Sequence, residues 1–188
     1  ISNGEQASEN ILSVRLIFTS IVLSVNVENG FRVGDEYWFN SGSEAKLSFS
    51  AKWTHDGSSI GGFKVTNVDS GNAFSKYIRV QENDRKVSLR FSAEEKGIRS
   101  NIASIGLVFT SVKLSGRRQG NVVNLRASWG HDGSSIGGLL IMCLETGQVV
   151  TTDYEGNASF KTLGFRFEVT FVPISSINGI TAYREAKV

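Results

Sequence analysis

The stretch His55-Asp-Gly-Ser-Ser-Ile-Gly-Gly62 recurs, residue for residue, as His131-Asp-Gly-Ser-Ser-Ile-Gly-Gly138. Each copy follows a tryptophan by one residue (Trp53-Thr54 and Trp129-Gly130), and together the copies hold both histidines of the 188-residue chain. An eight-residue identity within one chain marks an internal duplication. Working outward, residues 10–24 (NILSVRLIFTSIVLS) match residues 101–115 (NIASIGLVFTSVKLS), and Gly71-Asn72-Ala73 echoes Gly156-Asn157-Ala158. The offsets between the outer stretch, the octapeptide and the echo are 91, 76 and 85 residues. They place an extra segment, roughly residues 25–43, ahead of the first octapeptide and a longer stretch after the second. Such differences are expected in surface loops on a shared frame.

The strands are read from alternation. Ala45, Leu47, Phe49, Ala51 and Trp53 alternate with Lys46, Ser48, Ser50 and Lys52; in the second copy Val123, Leu125, Ala127 and Trp129 alternate with Asn124, Arg126 and Ser128. A period of two with one apolar side is a half-buried antiparallel strand. Val87, Leu89 and Phe91 repeat the pattern, as do Phe165, Phe167, Val169 and Phe171, and no segment shows a helical period. The predicted class is all-β. Residues 1–188 are expected to form one antiparallel, jelly-roll-like β-sandwich of about ten strands, its repeat halves at approximately 10–92 and 101–173 intertwined across a pseudo-two-fold.

Two irregularities sharpen this picture. Val14, Leu16 and Phe18 share one phase while Ile21, Leu23 and Val25 take the other, and Ile105, Leu107 and Phe109 switch likewise to Val112 and Leu114. A one-residue slip turns the apolar set to the opposite face, so Thr19-Ser20 and Thr110-Ser111 predict a bulge or a strand bending between sheets. Residues 139–144 (LLIMCL) are apolar throughout, unlike their counterpart Phe63-Lys64-Val65-Thr66. That predicts cover on both faces, by this chain or by a neighbouring subunit; Leu140, Met142 and Leu144 are the interface candidates.

The octapeptide itself reads as the loop of a hairpin. Asp-Gly suits a turn with positive φ, Gly-Gly permits a bulge, and the serines can satisfy loop amides. The contact-loop candidates are His55, Asp56, Ser58 and Ser59, with His131, Asp132, Ser134 and Ser135. A metal site is not expected, because two ligands per loop are too few. A sugar site has the carboxylate, hydroxyls and nearby tryptophan that a glycan needs, with two copies for avidity, although both tryptophans share the phase of the core. The third reading is a contact loop at subunit junctions.

Composition narrows the function classes. The net charge of +2 without a basic run argues against dominant nucleic-acid binding, and no stretch has the ~20 apolar residues of a membrane-spanning helix. The single Cys143 excludes an intrachain disulfide. Ser58, His55 and Asp56 are neighbours on one loop, a poor arrangement for nucleophile, base and orienter, so no enzyme and no cofactor are expected. The start at Ile1 leads to the expectation of a processed or trimmed chain.

The segment Gly120–Gly147 (GNVVNLRASWGHDGSSIGGLLIMCLETG) resembles a hairpin of the capsid proteins of picorna-like plant viruses of the secovirid type, and residues 165–176 (FRFEVTFVPISS) are similar to a later strand of those jelly rolls. The resemblance implies a structural virion protein assembling with itself or with sister capsid subunits into an icosahedral shell, touching the encapsidated nucleic acid weakly at most and using no membrane. The reading from a different class is a secreted or cell-surface carbohydrate-binding β-sandwich of lectin or adhesin type, with glycans as partners of two equivalent loops.

Overall fold

The alternating segments become strands. The structure, a computed structural model, describes residues 14–74, 77–162 and 168–188, and no helix occurs among them. The first half runs β1 (Ile21–Val27), β2 (Phe31–Val33), β3 (Glu36–Asn40), β4 (Glu44–Trp53), β5 (Lys64–Asn67), β6 (Ala73–Phe74), β7 (Tyr77–Gln81), β8 (Arg85–Glu95), β9 (Ile98–Arg99) and β10 (Ala103–Thr110). The second runs β11 (Val112–Gln119), β12 (Val122–Trp129), β13 (Leu140–Cys143), β14 (Val149–Thr151), β15 (Asn157–Lys161), β16 (Thr170–Pro173) and β17 (Ala186–Lys187). Several of these strands are only two or three residues long, which is why a count of about ten was read from periodicity. The expected all-β, antiparallel sandwich class stands.

Each half stacks two sheets. Sheet β1-β4-β7 packs against β2-β3-β10-β8-β5-β6, with β9 paired to β8; sheet β11-β12-β15 packs against β14-β13-β16-β17. The apolar side of β4 (Ala45, Leu47, Phe49, Ala51) meets Val65, Phe91, Leu107 and Phe109, all nearly or fully buried. Val123, Leu125 and Ala127 of β12 likewise meet Ile141, Cys143 and Phe171. The buried side chains therefore form two clusters in series rather than one core across intertwined halves. Partners close in sequence cost less loop-closure entropy than partners in the other copy, and β4–β7 and β12–β15 both pair within their own half.

The structure corrects four details. The extra segment before the first octapeptide is not a surface loop: it is the β2–β3 hairpin, whose β3 runs parallel to β10. Phe39 on it is 4% exposed and stacks on Phe109 with ring centroids 5.2 Å apart. The Gly71/Gly156 echo pairs unlike places, since Gly156 leads into β15 in the other sheet. The counterpart of Gly71 is Gly147: Gly71 N–H donates to Asn67 O and Gly147 N–H to Cys143 O, each at 2.9 Å, and both glycines have positive φ.

Residues 139–144 alternate after all. Leu139, Ile141 and Cys143 are buried, while on the outer face Leu140 is 37% and Leu144 49% exposed and Met142 is half-buried. The phase switch at Thr110-Ser111 is neither a bulge nor a bend within one sandwich. β10 ends the first sandwich at Thr110 and β11 opens the second at Val112, with Ser111 alone between them. Residues 10–13 of the repeated stretch, and Phe165 and Phe167 of the later strand, lie outside the described residues.

Candidate functional site

The octapeptide crosses from sheet to sheet and is not a hairpin loop between paired strands. β4 and β5 lie in opposite sheets, as do β12 and β13. Before crossing, the loop folds back on its own strand: Trp53 N–H donates to Ser58 O and Ile60 N–H to Ala51 O, both at 2.9 Å. Trp129 to Ser134 (2.8 Å) and Ile136 to Ala127 (3.1 Å) repeat this in the second copy. Gly57 and Gly133 supply the positive φ the turn demands, at 71° and 75°. Ile60 and Ile136 are buried as the chain leaves for the other sheet.

The polar residues then fall into matched places. Asp56 Oδ1 accepts from Ser58 N–H at 2.9 Å and from its hydroxyl at 2.7 Å; Asp132 does the same with Ser134 at 2.9 and 2.7 Å. These bonds close an Asx turn. The Ser58 N–H, its hydroxyl and then His55 hold the Asp56 carboxyl below the usual carboxylate range. At Asp132 partial burial opposes the charge, but the Ser134 N–H and hydroxyl and His131 more than offset it, and its carboxyl also titrates low. Ser59 and Ser135 face their own strands in isolated bridges to Lys52 and Ser128, and Ser135 Oγ accepts from Arg126 at 3.3 Å.

Each histidine reaches across to the segment that precedes its own sandwich. His55 Nδ1 lies 2.8 Å from Thr19 Oγ1, and His131 Nδ1 lies 2.9 Å from Thr110 Oγ1. The other ring nitrogens sit 3.4 Å from Asp56 and 3.5 Å from Asp132. Thr110 is the last residue of β10, so the His131 bond ties the second sandwich to the first.

Around that bond the first sandwich builds a seat for the second. Trp38 of β3 meets Trp129 edge-on at 4.9 Å and His131 at 5.4 Å between ring centroids. Asn40 Oδ1 accepts from the backbone N–H of Thr181 at 2.7 Å and of Ala182 at 2.6 Å. A Cβ at Gly179 would stand 2.8 Å from that of Phe31, so only glycine lets the β2–β3 hairpin lie so close. Asp84 takes the Ser111 hydroxyl at 2.8 Å and pairs with Lys113 at 3.3 Å. Burial opposes its charge, yet the Ser111 hydroxyl and Lys113 outweigh burial and keep the carboxyl low.

The two copies differ in cover. The His131 side chain is 7% exposed and the His55 side chain 29%. Trp129 is buried and Trp53 half-buried, because nothing described occupies over Trp53 the place that Trp38 holds over Trp129. Sequence reading found the histidines and aspartates but missed Trp38, Asn40 and Asp84. The first two lie in the unduplicated hairpin, where repetition gives no signal. Thr19 and Thr110 stand in an identical Phe-Thr-Ser triplet that was read only as a phase switch. Among the described residues no group of three or more His, Cys, Asp or Glu gathers as metal ligands.

No protein-family model matches the chain, and no curated protein matches it by sequence. Solved structures similar to it include the D00-D0 domain of intimin (11% identity, TM-score 0.49, covering 88% of this chain and 98% of that one). The Escherichia coli adhesin FdeC matches at 13% identity and TM-score 0.46, over 89% of this chain and 63% of that chain. The three N-terminal domains of the bacteriophage RB49 highly immunogenic outer capsid protein match at 11% identity and TM-score 0.41, over 80% and 61%. The chain thus spans less than two thirds of the FdeC and RB49 structures.

The plant-virus capsid resemblance is corrected by these findings. The solved structures similar to this chain include segments of intimin and of the adhesin FdeC, not plant-virus capsid subunits. Gly120–Gly147 is also not the hairpin the resemblance required, because β12 pairs with β11 and β15 while β13 pairs with β14 and β16. The virion location and the assembly with capsid subunits fall with it.

Proposed function

We propose that the chain is a non-catalytic segment of a secreted or cell-surface, adhesin-like protein, in which β-sandwiches joined end to end hold a binding region away from the surface. One observation carries this reading: the junction is built, not tethered. Ser111 alone separates β10 from β11 and is held by Asp84, while Trp38 and Asn40 of the first sandwich engage Trp129, Thr181 and Ala182 of the second. A covered joint without a flexible linker transmits orientation, which is what a spacer needs. External ligands, glycans among them, are met elsewhere than at the second octapeptide, where His131 is shut beneath Trp38 and Asp132 is engaged by its own loop.

The test has two parts. NMR relaxation is expected to give both sandwiches one common tumbling time, and antibodies raised to the chain are expected to label intact cells that express the gene. Independent tumbling of the halves, or labelling only after the cells are permeabilised, would overturn the reading.

A further inference from the structure

Residues 14–19 and 105–110 carry nearly the same sequence, VRLIFT and IGLVFT, but opposite surroundings. Leu107, Val108 and Phe109 are 0% exposed in β10, where they close the first sandwich beside β8. Leu16, Ile17 and Phe18 are 74%, 57% and 88% exposed, and Val14 is 71% exposed. Four large apolar side chains within five residues, broken only by Arg15, face water and mark a docking surface. Neither sandwich described here can receive them at the place β10 occupies, since β8 already pairs with β10 and β16 with β17.

The start of a junction is nonetheless present. Thr19 holds the same bond to His55 that Thr110 holds to His131, and Thr54 N–H donates to Ser20 O at 3.0 Å as Gly130 N–H donates to Ser111 O at 2.8 Å. Trp53 and His55 are left partly open where Trp38 would sit. Resting on the end-to-end reading above, we infer that Val14–Thr19 is the closing strand of a further β-sandwich of this same kind, which adds the strand beside its own counterpart of β8 and lays an aromatic side chain against Trp53 and His55.

One residue defines that partner more closely. A Cβ at Gly130 would stand 2.3 Å from Asp84 Oδ1, so Asp84 fits only against glycine. The first copy has Thr54 there, and its hydroxyl, 3.2 Å from Ser20 Oγ, already takes the place that Asp84 takes at Ser111. The partner sandwich therefore carries a small residue where this one has Asp84.

The experiment extends the intact chain by placing a second copy of residues 21–100, bearing Asp84→Gly, directly before Asn10. Asn10 then follows the added copy as Asn101 follows Ser100. Hydrogen exchange is expected to slow at the amides of Leu16, Ile17 and Phe18 by a hundredfold or more, toward the rates of Leu107 and Phe109, and Leu16→Asp with Phe18→Asp is expected to abolish both that protection and the folding of the added copy. Unchanged exchange at residues 16–18 overturns the inference, and so does an added copy that stays unfolded, because its closing strand is then not supplied by these residues. Concentration-dependent association of the unextended chain that buries Phe18 would also overturn it, assigning the strand to a second copy. None of these outcomes depends on whether the halves tumble together or where the protein resides, so the failure of the two proposals can be told apart.

Discussion

His131 Nδ1 lies 2.9 Å from Thr110 Oγ1, and the two residues belong to different sandwiches. Thr110 is fully buried, and its other oxygen contact, to Ser111 O, is long at 3.4 Å. The ring is therefore the hydroxyl's main partner, and it sits where the last strand of one sandwich becomes the first strand of the next.

Replacing that ring leaves a buried hydroxyl poorly satisfied. His131→Ala is expected to cost about 1–3 kcal/mol, the range for orphaning a buried polar group. His55→Ala, at the open end, is expected to cost less than about 1 kcal/mol. Urea denaturation of both variants measures the difference; equal losses would show that the junction adds nothing to the His131 bond.

Trp38→Ala removes the ring that covers Trp129 and His131. The expected cost is about 2–4 kcal/mol, at the lower part of the range for aromatic truncation because Trp38 is only partly buried. Relaxation measurements are also expected to show the two sandwiches gaining independent motion, while the same change at Trp53 leaves the tumbling unaltered.

Gly130→Ala places a Cβ 2.3 Å from Asp84 Oδ1 and displaces the carboxylate from Ser111 and Lys113. A loss of about 1–3 kcal/mol is expected from such overpacking. Asp84 has φ of 40°, which glycine accepts, so Asp84→Gly introduces no backbone strain. In a double-mutant cycle the alanine is expected to cost much less in the Asp84→Gly background. Additive losses would mean that the two residues do not touch.

The pH dependence follows from Asp132 and Asp84, whose folded carboxyls titrate below their unfolded values. Such a group contributes stability above its unfolded pKa of about 4 and loses it as pH falls through the lowered folded pKa. The groups facing them are the His131 ring at Asp132 and the Lys113 ammonium at Asp84. Stability is expected to decline as pH drops from about 5 to about 3, and Asp132→Asn is expected to flatten part of that decline. Urea midpoints across the range check it; an unchanged slope in the variant would remove Asp132 from the account.

Legibility differed from one feature to the next. Ala45 to Trp53 and Val123 to Trp129 announced their strands because one side is apolar and the other is not. Gly57 at positive φ was legible because turn chemistry is local, whereas the loop amides were assigned to the serines and it is Asp56 that accepts from Ser58. Trp38 was not, since it acts on residues about ninety positions away and sits in a hairpin with no second copy to compare. The apolar run at residues 139–144 misled for a related reason: Leu140 and Leu144 are apolar yet exposed, and hydrophobicity alone does not say which face is covered.

What the sequence determined by itself was the duplication, the β class, the loop chemistry of HDGSSIGG and the phase switch at Thr110-Ser111. The tertiary structure decided that the switch hands a strand from one sandwich to the next, and that His131 bridges the step. The physical reason is that alternation reports which side of a strand is buried but carries no information about which sheet, or which sandwich, does the burying. That is settled only when β10 pairs with β8 and β11 with β12.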